Sequence, residues 1–303
     1  FAVEVNTPGS TGGSMLRTDF ASRNEVSLFQ DESLTVRVPS DFPTLQHAIN
    51  ELSTRSITPG VTIDLLIESG HQPETGIKLN GGDYSQFVVT SEDDVVYVAD
   101  SFTGPFIEGN HTHLPTLGCL VDMRDRGENG YSALDNSQGY VNIRCGIRNA
   151  GQRGCHVRGS QVFAPSSEFT GSNNRNVMAT GGAFFDGDAG NFSANKPSGA
   201  PGDRVVYVSR ASYASLHGAR VLDAKGDAAI TVIRSKVNAV RADVSGAEND
   251  GIAATQNSQV SFSEGVANNC GQGIRCQSVS TVDAEQATVN NARDYAVYAS
   301  TGG

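Results

Sequence analysis

The sequence has no tryptophan, only three methionines and an aromatic content of 7% in 303 residues. A wide globular core is usually filled by large side chains, so this composition favours a thin, regular core of Ala, Val, Ser and Gly. The five cysteines are an odd number and form no CxxC motif, which argues against a complete disulfide framework and against a zinc site. The cysteines are therefore predicted to be small core residues.

Basic residues are also scarce: 22 Lys and Arg face 33 Asp and Glu, which gives a net charge of −11. Binding to nucleic acid requires clustered positive charge, so this balance argues against a nucleic-acid partner, whereas a neutral or cationic glycan is compatible with it. No apolar run approaches the length of a membrane span, so membrane insertion is not expected. His111 and His113 form an HxH pair without a third ligand in register, so no metal and no other cofactor is predicted.

What the sequence does contain is a repeat that begins at Ser137 and continues almost to the last residue. A serine recurs at intervals of 22 or 23 residues, except for one interval of 52 that fits two turns, one of them enlarged: Ser137, Ser160, Ser212, Ser235, Ser258 and Ser280. Behind each serine, short segments alternate apolar and polar residues, which is the pattern of strands with one buried face. A period of this length with three short strands in each copy predicts a solenoid.

We interpret each copy as one rung of a right-handed parallel β-helix, an all-β, single-stranded solenoid with rungs of about 22 residues. Asn149, Asn268 and Asn291 fall at predicted corners, where left-handed backbone or a stacked amide is favourable. Small residues precede the inward position of the third strand and predict a crowded bend: Gly154, Ala229, Gly251, Gly273 and Ala296. A leucine-rich repeat has a similar period, but leucine is rare after Leu134, which disfavours that alternative.

Three regions are predicted along the chain. Residues 1–36 are polar and rich in Gly, Ser and Thr, and are expected to form an N-terminal arm or linker. Residues 37–136 are expected to hold an N-terminal cap and the first irregular turns. Residues 137–303 are expected to hold the regular rungs, with an inserted loop at 186–203.

The cap contains the clearest helix signal, at residues 43–52. Pro43 suits a first helical turn, Ser40 or Asp41 is a candidate N-cap, and an apolar stripe follows at helical spacing: Leu45, Ala48, Ile49 and Leu52. Around it the sequence predicts short strands at 61–67, 86–90, 95–98 and 120–123 and loops at 102–119 and 124–134.

The helix segment FPTLQHAINEL, the Gly-bounded strand GVTIDLLIESG and the following run of rungs resemble the opening of the pectate-lyase-like right-handed β-helix superfamily. Within it, the chain most resembles bacteriophage tailspike and tail-fibre proteins. The resemblance implies a helix that covers the N-terminal end of the solenoid, a homotrimer in the virion tail, and binding or cleavage of a host cell-surface polysaccharide. The arm would then attach to other virion tail proteins. The Asp clusters and the Arg of a calcium-dependent pectate lyase are not recognisable, which argues against that activity.

The inserted loop is the one irregular feature of the repeat, so it is the predicted place for function. It carries Asp186, Asp188 and Asp203, with Glu168 expected one rung before it and His217 one rung after it. Glycoside hydrolysis needs two carboxylates, roughly 5–5.5 Å or 6.5–9.5 Å apart, and rungs about 4.8 Å apart allow either separation. Asp186 or Asp188 with Glu168 is therefore the candidate catalytic pair. The alternative is that aspartates beside glycines only shape turns.

Tyrosines near the same loop are candidates for stacking on a sugar ring. Tyr207 and Tyr213, together with His217 and Asp203, form the predicted substrate-binding set. The outward positions of the third strand form one column: His156, Met178, Tyr207, Thr231, Ala253, Arg275 and Tyr298. The alternative is that this column packs against a partner subunit of a trimer.

Three functional hypotheses follow. The first is a phage tailspike module that binds host polysaccharide and, if it is an enzyme, depolymerises it as a glycoside hydrolase. The second is a non-catalytic tail-fibre or baseplate adhesin, or a structural shaft. The third is a secreted bacterial polysaccharide lyase or hydrolase.

Overall fold

The computed structural model describes residues 29–193 and 204–300, and these residues form an all-β parallel solenoid of about ten turns. Strands that lie one turn apart in the chain pair in parallel, with directly opposed residues 22 to 29 positions apart in the regular rungs. The predicted parallel solenoid is therefore confirmed. Among the described residues, no helix combines the length and the apolar character that a membrane span requires.

The elements of the first part of the chain are β1 Phe29–Gln30, β2 Leu34–Val38, α1 Leu45–Leu52, β3 Ser56–Ile57, β4 Ile63–Ile67, β5 Thr75–Asn80, β6 Phe87–Ser91, β7 Val96–Tyr97, β8 Thr103–Asn110, β9 Thr116–Leu117, β10 Leu120–Asp122 and β11 Asn129–Leu134. The rungs that follow contain β12 Gln138–Tyr140, β13 Gly146–Arg148, β14 Arg153–Arg158, β15 Gln161–Phe163, β16 Glu168–Thr170, β17 Arg175–Thr180, β18 Phe184–Asp186, β19 Arg204–Ser209, β20 Tyr213–Ser215, β21 Ala228–Ile233, β22 Lys236–Asn238, β23 Asp250–Thr255, β24 Gln259–Ser261, β25 Gln272–Gln277, β26 Thr281–Asp283 and β27 Tyr295–Ser300.

Two long parallel sheets dominate the solenoid. The ten-stranded sheet has the order β27-β25-β23-β21-β19-β17-β14-β11-β8-β5, and the seven-stranded sheet has the order β12-β15-β18-β20-β22-β24-β26. Two four-stranded sheets, β16-β13-β10-β7 and β2-β4-β6-β9, and the pair β1-β3 complete the structure. Isolated bridges extend the first four-stranded sheet along later turns, from Glu168 through Asn191 to Arg220 and beyond.

The core consists of the inward residues of each strand, stacked in columns along the solenoid. One column in the ten-stranded sheet is fully buried: Cys155, Val177, Val206 and Ile230. These side chains are inward because the strand alternates faces, and each column is apolar because burial selects similar residues at the same position of every turn. Five cysteines are free thiols in the described structure, three of them buried: Cys119, Cys155 and Cys270.

Corners and bends largely follow the predicted chemistry. Asn149 and Asn291 have positive φ, whereas at the third predicted corner the left-handed residue is Asn269 and not Asn268. At the bend, a Cβ added to Gly154 would lie 2.7 Å from the carbonyl oxygen of Asn176, so the approach of neighbouring turns requires a glycine there.

The helix lies where the sequence predicts it, but its N-cap is a different residue. The N-cap of α1 is Thr44, whose hydroxyl oxygen accepts the backbone N–H of His47 at 3.1 Å. Ser40 instead donates its hydroxyl to Glu68, and Asp41 lies before the cap. The predicted apolar stripe is buried: Leu45, Ala48, Ile49 and Leu52.

Two segments predicted as loops are strands. The segment 102–119 contains β8 and β9, and 124–134 ends in β11. Strand β11 (NGYSAL) is buried at five consecutive positions, so both of its faces are covered and it shows no apolar–polar alternation. Regular turns of the ten-stranded sheet therefore begin at β5, well before the serine repeat.

The first residues of the predicted insertion belong to a regular rung. Asn191 bridges to Glu168 one turn before it, so the chain keeps the regular path of the rung through residue 193. Phe192 is fully buried, with its ring 6.3 Å from that of Phe169 and 5.7 Å from that of Phe185. Residues 186–193 are thus part of a rung and not of a protruding loop, and residues 194–203 lie outside the described residues.

Candidate functional site

Four aromatic rings stack in a row on the outer face of the seven-stranded sheet. The ring centroids of Tyr140 and Phe163 are 5.2 Å apart, those of Phe163 and Phe184 are 5.5 Å apart, and those of Phe184 and Tyr213 are 5.6 Å apart. The first and last of these pairs are nearly coplanar stacks, at 14° and 15°. We name these four residues the aromatic ladder.

The register of the sheet creates this ladder. Tyr140 lies directly opposite Phe163 across β12 and β15, and Phe184 lies directly opposite Tyr213 across β18 and β20. Parallel strands bring outward side chains on successive rungs to about 4.8 Å from one another. The neighbouring residues in these strands are buried and point inward: Gly139, Val162, Phe185 and Ala214. Because side chains alternate along a strand, the four aromatic rings face outward. Tyr140 is 40% exposed and the other three rings are partly exposed.

Asp186 lies in the middle of the ladder. It is directly opposite Phe163 in the neighbouring strand and follows Phe184 by two residues on the same face of β18. Burial raises the pKa of this carboxyl group, the charge of Asp188 raises it further, and a hydrogen bond from the backbone N–H of Asp188 opposes both effects. Asp186 therefore holds a proton more readily than an ordinary aspartate.

Asp188 is held in a different environment. Its Oδ1 accepts the hydroxyl of Ser215 at 2.6 Å and the backbone N–H of His217 at 2.9 Å. The pair Asp186 and Asp188 thus combines a carboxyl group whose pKa is raised by burial with a carboxylate oxygen that is held by two hydrogen-bond donors.

A shallow groove continues the same face beyond Tyr213. It has a volume of about 540 Å³ and is lined by the outward residues of β20, β22, β24 and β26: Tyr213, Lys236, Asn238, Gln259, Ser261, Thr281 and Asp283. Amide, hydroxyl, ammonium and carboxylate groups therefore follow the aromatic ladder along one continuous surface.

The predicted site residues separate onto three surfaces. Asp186, Asp188 and Tyr213 lie on the seven-stranded face, and His217 contacts Asp188 through its backbone. Glu168 lies on β16 in a four-stranded sheet, where its two carboxylate oxygens accept from Arg148 at 2.6 and 3.0 Å. That carboxylate is engaged in an ion pair, which leaves the two aspartates as the candidate acid and base. Asp203 lies outside the described residues.

Tyr207 lies on the ten-stranded sheet, away from the ladder. The predicted column of outward residues is observed in register through successive strands: His156, Met178, Tyr207, Thr231, Ala253, Arg275 and Tyr298. The guanidinium carbons of Arg175 and Arg204 lie 4.8 and 5.1 Å from the centroid of the Tyr207 ring. The ring is therefore occupied by two cation–π contacts.

His113 of the HxH motif lies beside an aspartate. Nδ1 of His113 lies 3.5 Å from a carboxylate oxygen of Asp83. Within residues 29–193 and 204–300, no group of three or more His, Cys, Asp or Glu side chains is placed to hold a metal ion.

Sequence reasoning missed three of the four ladder residues, Tyr140, Phe163 and Phe184. A signal for them was present in the repeat. Phe184 and Tyr213 each follow the first residue of their rung, Ala183 and Ser212, and Tyr140 and Phe163 come two positions later in theirs. The aromatic residues therefore become a row only when successive rungs are aligned.

The parallel rungs are consistent with the β-helix superfamily that the sequence resembles. No protein-family model and no curated protein matches this chain. The resemblance to tailspike proteins accordingly stays a prediction.

Proposed function

We propose that this protein binds a polysaccharide along the outer face of the seven-stranded sheet, with the aromatic ladder as the main contact. The observation that supports this proposal above all is the row of four outward aromatic rings. Aromatic side chains in a soluble protein are normally buried, and a contiguous exposed set marks a binding surface.

The chemistry of the ladder suits sugar rings. A pyranose has faces covered by C–H groups, which lose contact with water when they pack on an aromatic ring, while the hydroxyl groups at its edge stay free to form hydrogen bonds. The ladder covers three rung steps, about 14 Å, so it supports a row of sugars and not a single one. A solenoid holds the rings rigidly, which lowers the entropic cost of binding a flexible chain.

The groove beyond Tyr213 extends the same path with polar groups. The amides of Asn238 and Gln259 and the hydroxyl of Ser261 offer both donors and acceptors to sugar hydroxyls. Three carboxylates along the face, Asp186, Asp188 and Asp283, outnumber the ammonium group of Lys236. A neutral or cationic glycan therefore fits this face better than an acidic one.

The proposed biological setting is the tail of a bacteriophage, where the chain acts as a homotrimeric tailspike module that binds host cell-surface polysaccharide. The parallel solenoid and the buried stripe of α1 near its N-terminal end support this setting. The predicted arm contains β1 and the start of β2, which pair with β3 and β4, so only the part before Phe29 is proposed to attach to other virion tail proteins. Light scattering tests the oligomer, and the mass of a single chain in solution would contradict the trimer.

The binding proposal is tested with capsular polysaccharide and lipopolysaccharide from candidate host bacteria, measured by surface plasmon resonance. We expect Tyr213→Ala and Tyr140→Ala each to weaken binding about tenfold, because each removes a stacking contact of about 1–1.5 kcal/mol. Tyr97→Ala is the matched control, since this tyrosine is 44% exposed but lies on β7 in another sheet. Equal losses in all three variants, or none in the ladder variants, would overturn the proposal.

A second proposal is that bound polysaccharide is hydrolysed at the middle of the ladder. It rests on the raised pKa of Asp186 beside the hydrogen-bonded Asp188. Asp186 would donate a proton to the glycosidic oxygen, and Asp188 would act as base or nucleophile. Binding without cleavage would instead make the protein an adhesin.

A further inference from the structure

A second polar cluster lies on the outer face of the ten-stranded sheet. Arg153, Arg175 and Arg204 are the first residues of the neighbouring strands β14, β17 and β19, and Arg153 lies directly opposite Arg175. Side chains at the same position of successive rungs are about 4.8 Å apart at the backbone. Three guanidinium groups therefore stand in one row on a protein whose net charge is −11.

Part of this positive charge is balanced by neighbouring carboxylates. Arg204 forms an ion pair with Asp227 at 2.9 Å, and Arg158, at the other end of β14, forms one with Asp135. The Tyr207 ring packs against the guanidinium groups of Arg175 and Arg204, which holds them in place over the sheet. Arg175 and Arg204 are consequently held in place before any ligand arrives.

Arg153 is less well satisfied. One of its terminal nitrogens donates to the amide oxygen of Asn129 at 3.2 Å, but its Nε is buried and has no hydrogen-bond partner among the described residues. No carboxylate in the described part of the chain lies within ion-pair distance of Arg153. A buried guanidinium N–H without an acceptor is costly, so this group has a free donor to offer, and its charge is opposed by Glu128 without an ion pair.

A second unpartnered group lies nearby. Ser132 is fully buried, and its hydroxyl oxygen has no hydrogen-bond partner among the described residues. Ser132 lies directly opposite His156. His156 follows Arg153 by three residues on β14. Burial, together with the charges of Arg153, Arg158 and Arg175, lowers the pKa of His156 to about 4 against the opposing charge of Asp135. A buried hydroxyl thus lies on the strand beside His156, and the guanidinium group of Arg153 is close enough to this imidazole to lower its pKa.

We propose that Arg153, His156 and Ser132, with Arg175 alongside, form a binding site for an oxyanion: a carboxylate, sulfate or phosphate group. Such a group accepts hydrogen bonds through several oxygens at once and matches the planar donor fork of arginine. It would supply the missing acceptor for Nε of Arg153 and offset the positive charge of that guanidinium group. The site is separate from the aromatic ladder and does not depend on the polysaccharide proposal.

The oxyanion has two possible sources with the same chemistry, a free inorganic anion or an acidic substituent on a saccharide. The probes are therefore inorganic phosphate, glucuronate and an oligouronide, each titrated against the full chain. Binding is followed by the imidazole resonances of His156 in NMR spectra, assigned with His156→Gln. Because an anion favours the imidazolium form, the pKa of His156 should rise on binding.

We expect saturable shifts of the His156 signals with at least one probe, and at least tenfold weaker binding in Arg153→Gln. Arg153→Lys should keep part of the affinity because it keeps the charge and loses the fork. Arg234→Gln is the control, since Arg234 is exposed at the end of β21 in the same sheet. Saturation by phosphate identifies a free anion, and much tighter binding of the oligouronide than of glucuronate identifies a saccharide.

The proposal is overturned if none of the three probes moves the His156 signals, or if Arg153→Gln and Arg234→Gln bind equally well. Circular dichroism of each variant shows whether it is folded. Should Arg153→Gln be unfolded, Ser132→Ala and Arg153→Lys provide the same comparison, because both substitutions are small and neither removes a side chain from the interior core columns.

Discussion

The backbone N–H of Ser212 donates a hydrogen bond to the hydroxyl oxygen of Ser235, one turn further along the solenoid, at 3.2 Å. The same bond joins other members of the serine repeat, with distances of 2.9 to 3.2 Å: Thr112 to Ser137, Ser137 to Ser160, Ala183 to Ser212 and Ser258 to Ser280. The repeating serine is therefore a link between turns at a buried corner, and this explains why the serine recurs with the period of the rung.

We predict that Ser235→Ala lowers the free energy of unfolding by about 1–3 kcal/mol, because it leaves the buried N–H of Ser212 without its acceptor. Ser261→Ala is the control: Ser261 is exposed on β24, and its loss should change stability by less than about 0.5 kcal/mol. Urea unfolding followed by circular dichroism measures both. Equal effects of the two substitutions would show that the serine link contributes nothing.

A substitution of Phe192 tests whether residues 186–193 belong to a regular rung. Because its side chain is fully buried against Phe169 and Phe185, Phe192→Ala should cost about 3–5 kcal/mol of unfolding free energy. Phe163→Ala removes an equally large ring from the outer face and should cost clearly less. The comparison is made by urea unfolding, and a Phe192 variant as stable as the wild type would restore the loop interpretation for 186–193.

His156 should make stability depend on pH. Its folded pKa of about 4 lies below the ordinary value of 6.5, so the unfolded chain binds more protons between these values. The stabilisation is complete above pH 6.5 and is lost as pH falls towards 4, by up to about 3 kcal/mol at 1.36 kcal/mol for each pKa unit. In His156→Gln this component should vanish, which unfolding experiments at pH 4.5 and 7 would measure.

Asp250 should change stability with pH in the direction opposite to His156, so it serves as the comparison. Burial raises its pKa to about 6, against the opposing charge of Arg275, so the folded state binds the extra proton and stability falls as pH rises from about 4 to 6. Asp250→Asn should therefore make the wild-type dependence on pH steeper, whereas His156→Gln should make it shallower. Changes of the same sign in both variants would contradict these assignments.

If the polysaccharide is cleaved, Asp186→Asn should reduce the formation of reducing ends about 10²–10⁴-fold, since a general acid contributes that much to the rate. Binding of the polysaccharide should change little, because the aromatic ladder stays intact. Asp100→Asn removes an exposed carboxylate that lies outside the aromatic ladder and the groove, and it should keep the activity. A wild-type rate in Asp186→Asn would exclude Asp186 as the acid, and products with a new double bond would indicate a lyase.

The ten-stranded sheet shows where sequence reasoning succeeds and fails. The strands from β14 to β27 recur at steps of 22 to 29 residues with similar residues at the inward positions, so their existence and their mutual register follow from the repeat. Strands β8 and β11 were expected to be loops. Proline, glycine and serine interrupt the apolar–polar pattern of these two strands, and both strands precede the serine repeat that reveals the later rungs.

The sequence alone determined the solenoid. Every turn must bury the same inward positions, so apolar residues recur in the sequence with the period of one turn. Only the tertiary structure decided which outward side chains become neighbours. Tyr140, Phe163, Phe184 and Tyr213 are separated by 21 to 29 residues, and parallel register alone brings their rings together. The same register placed Glu168 beside Arg148 and away from Asp186. Outward residues carry no burial constraint, so the repeat gives their register but does not show which of them pack against one another.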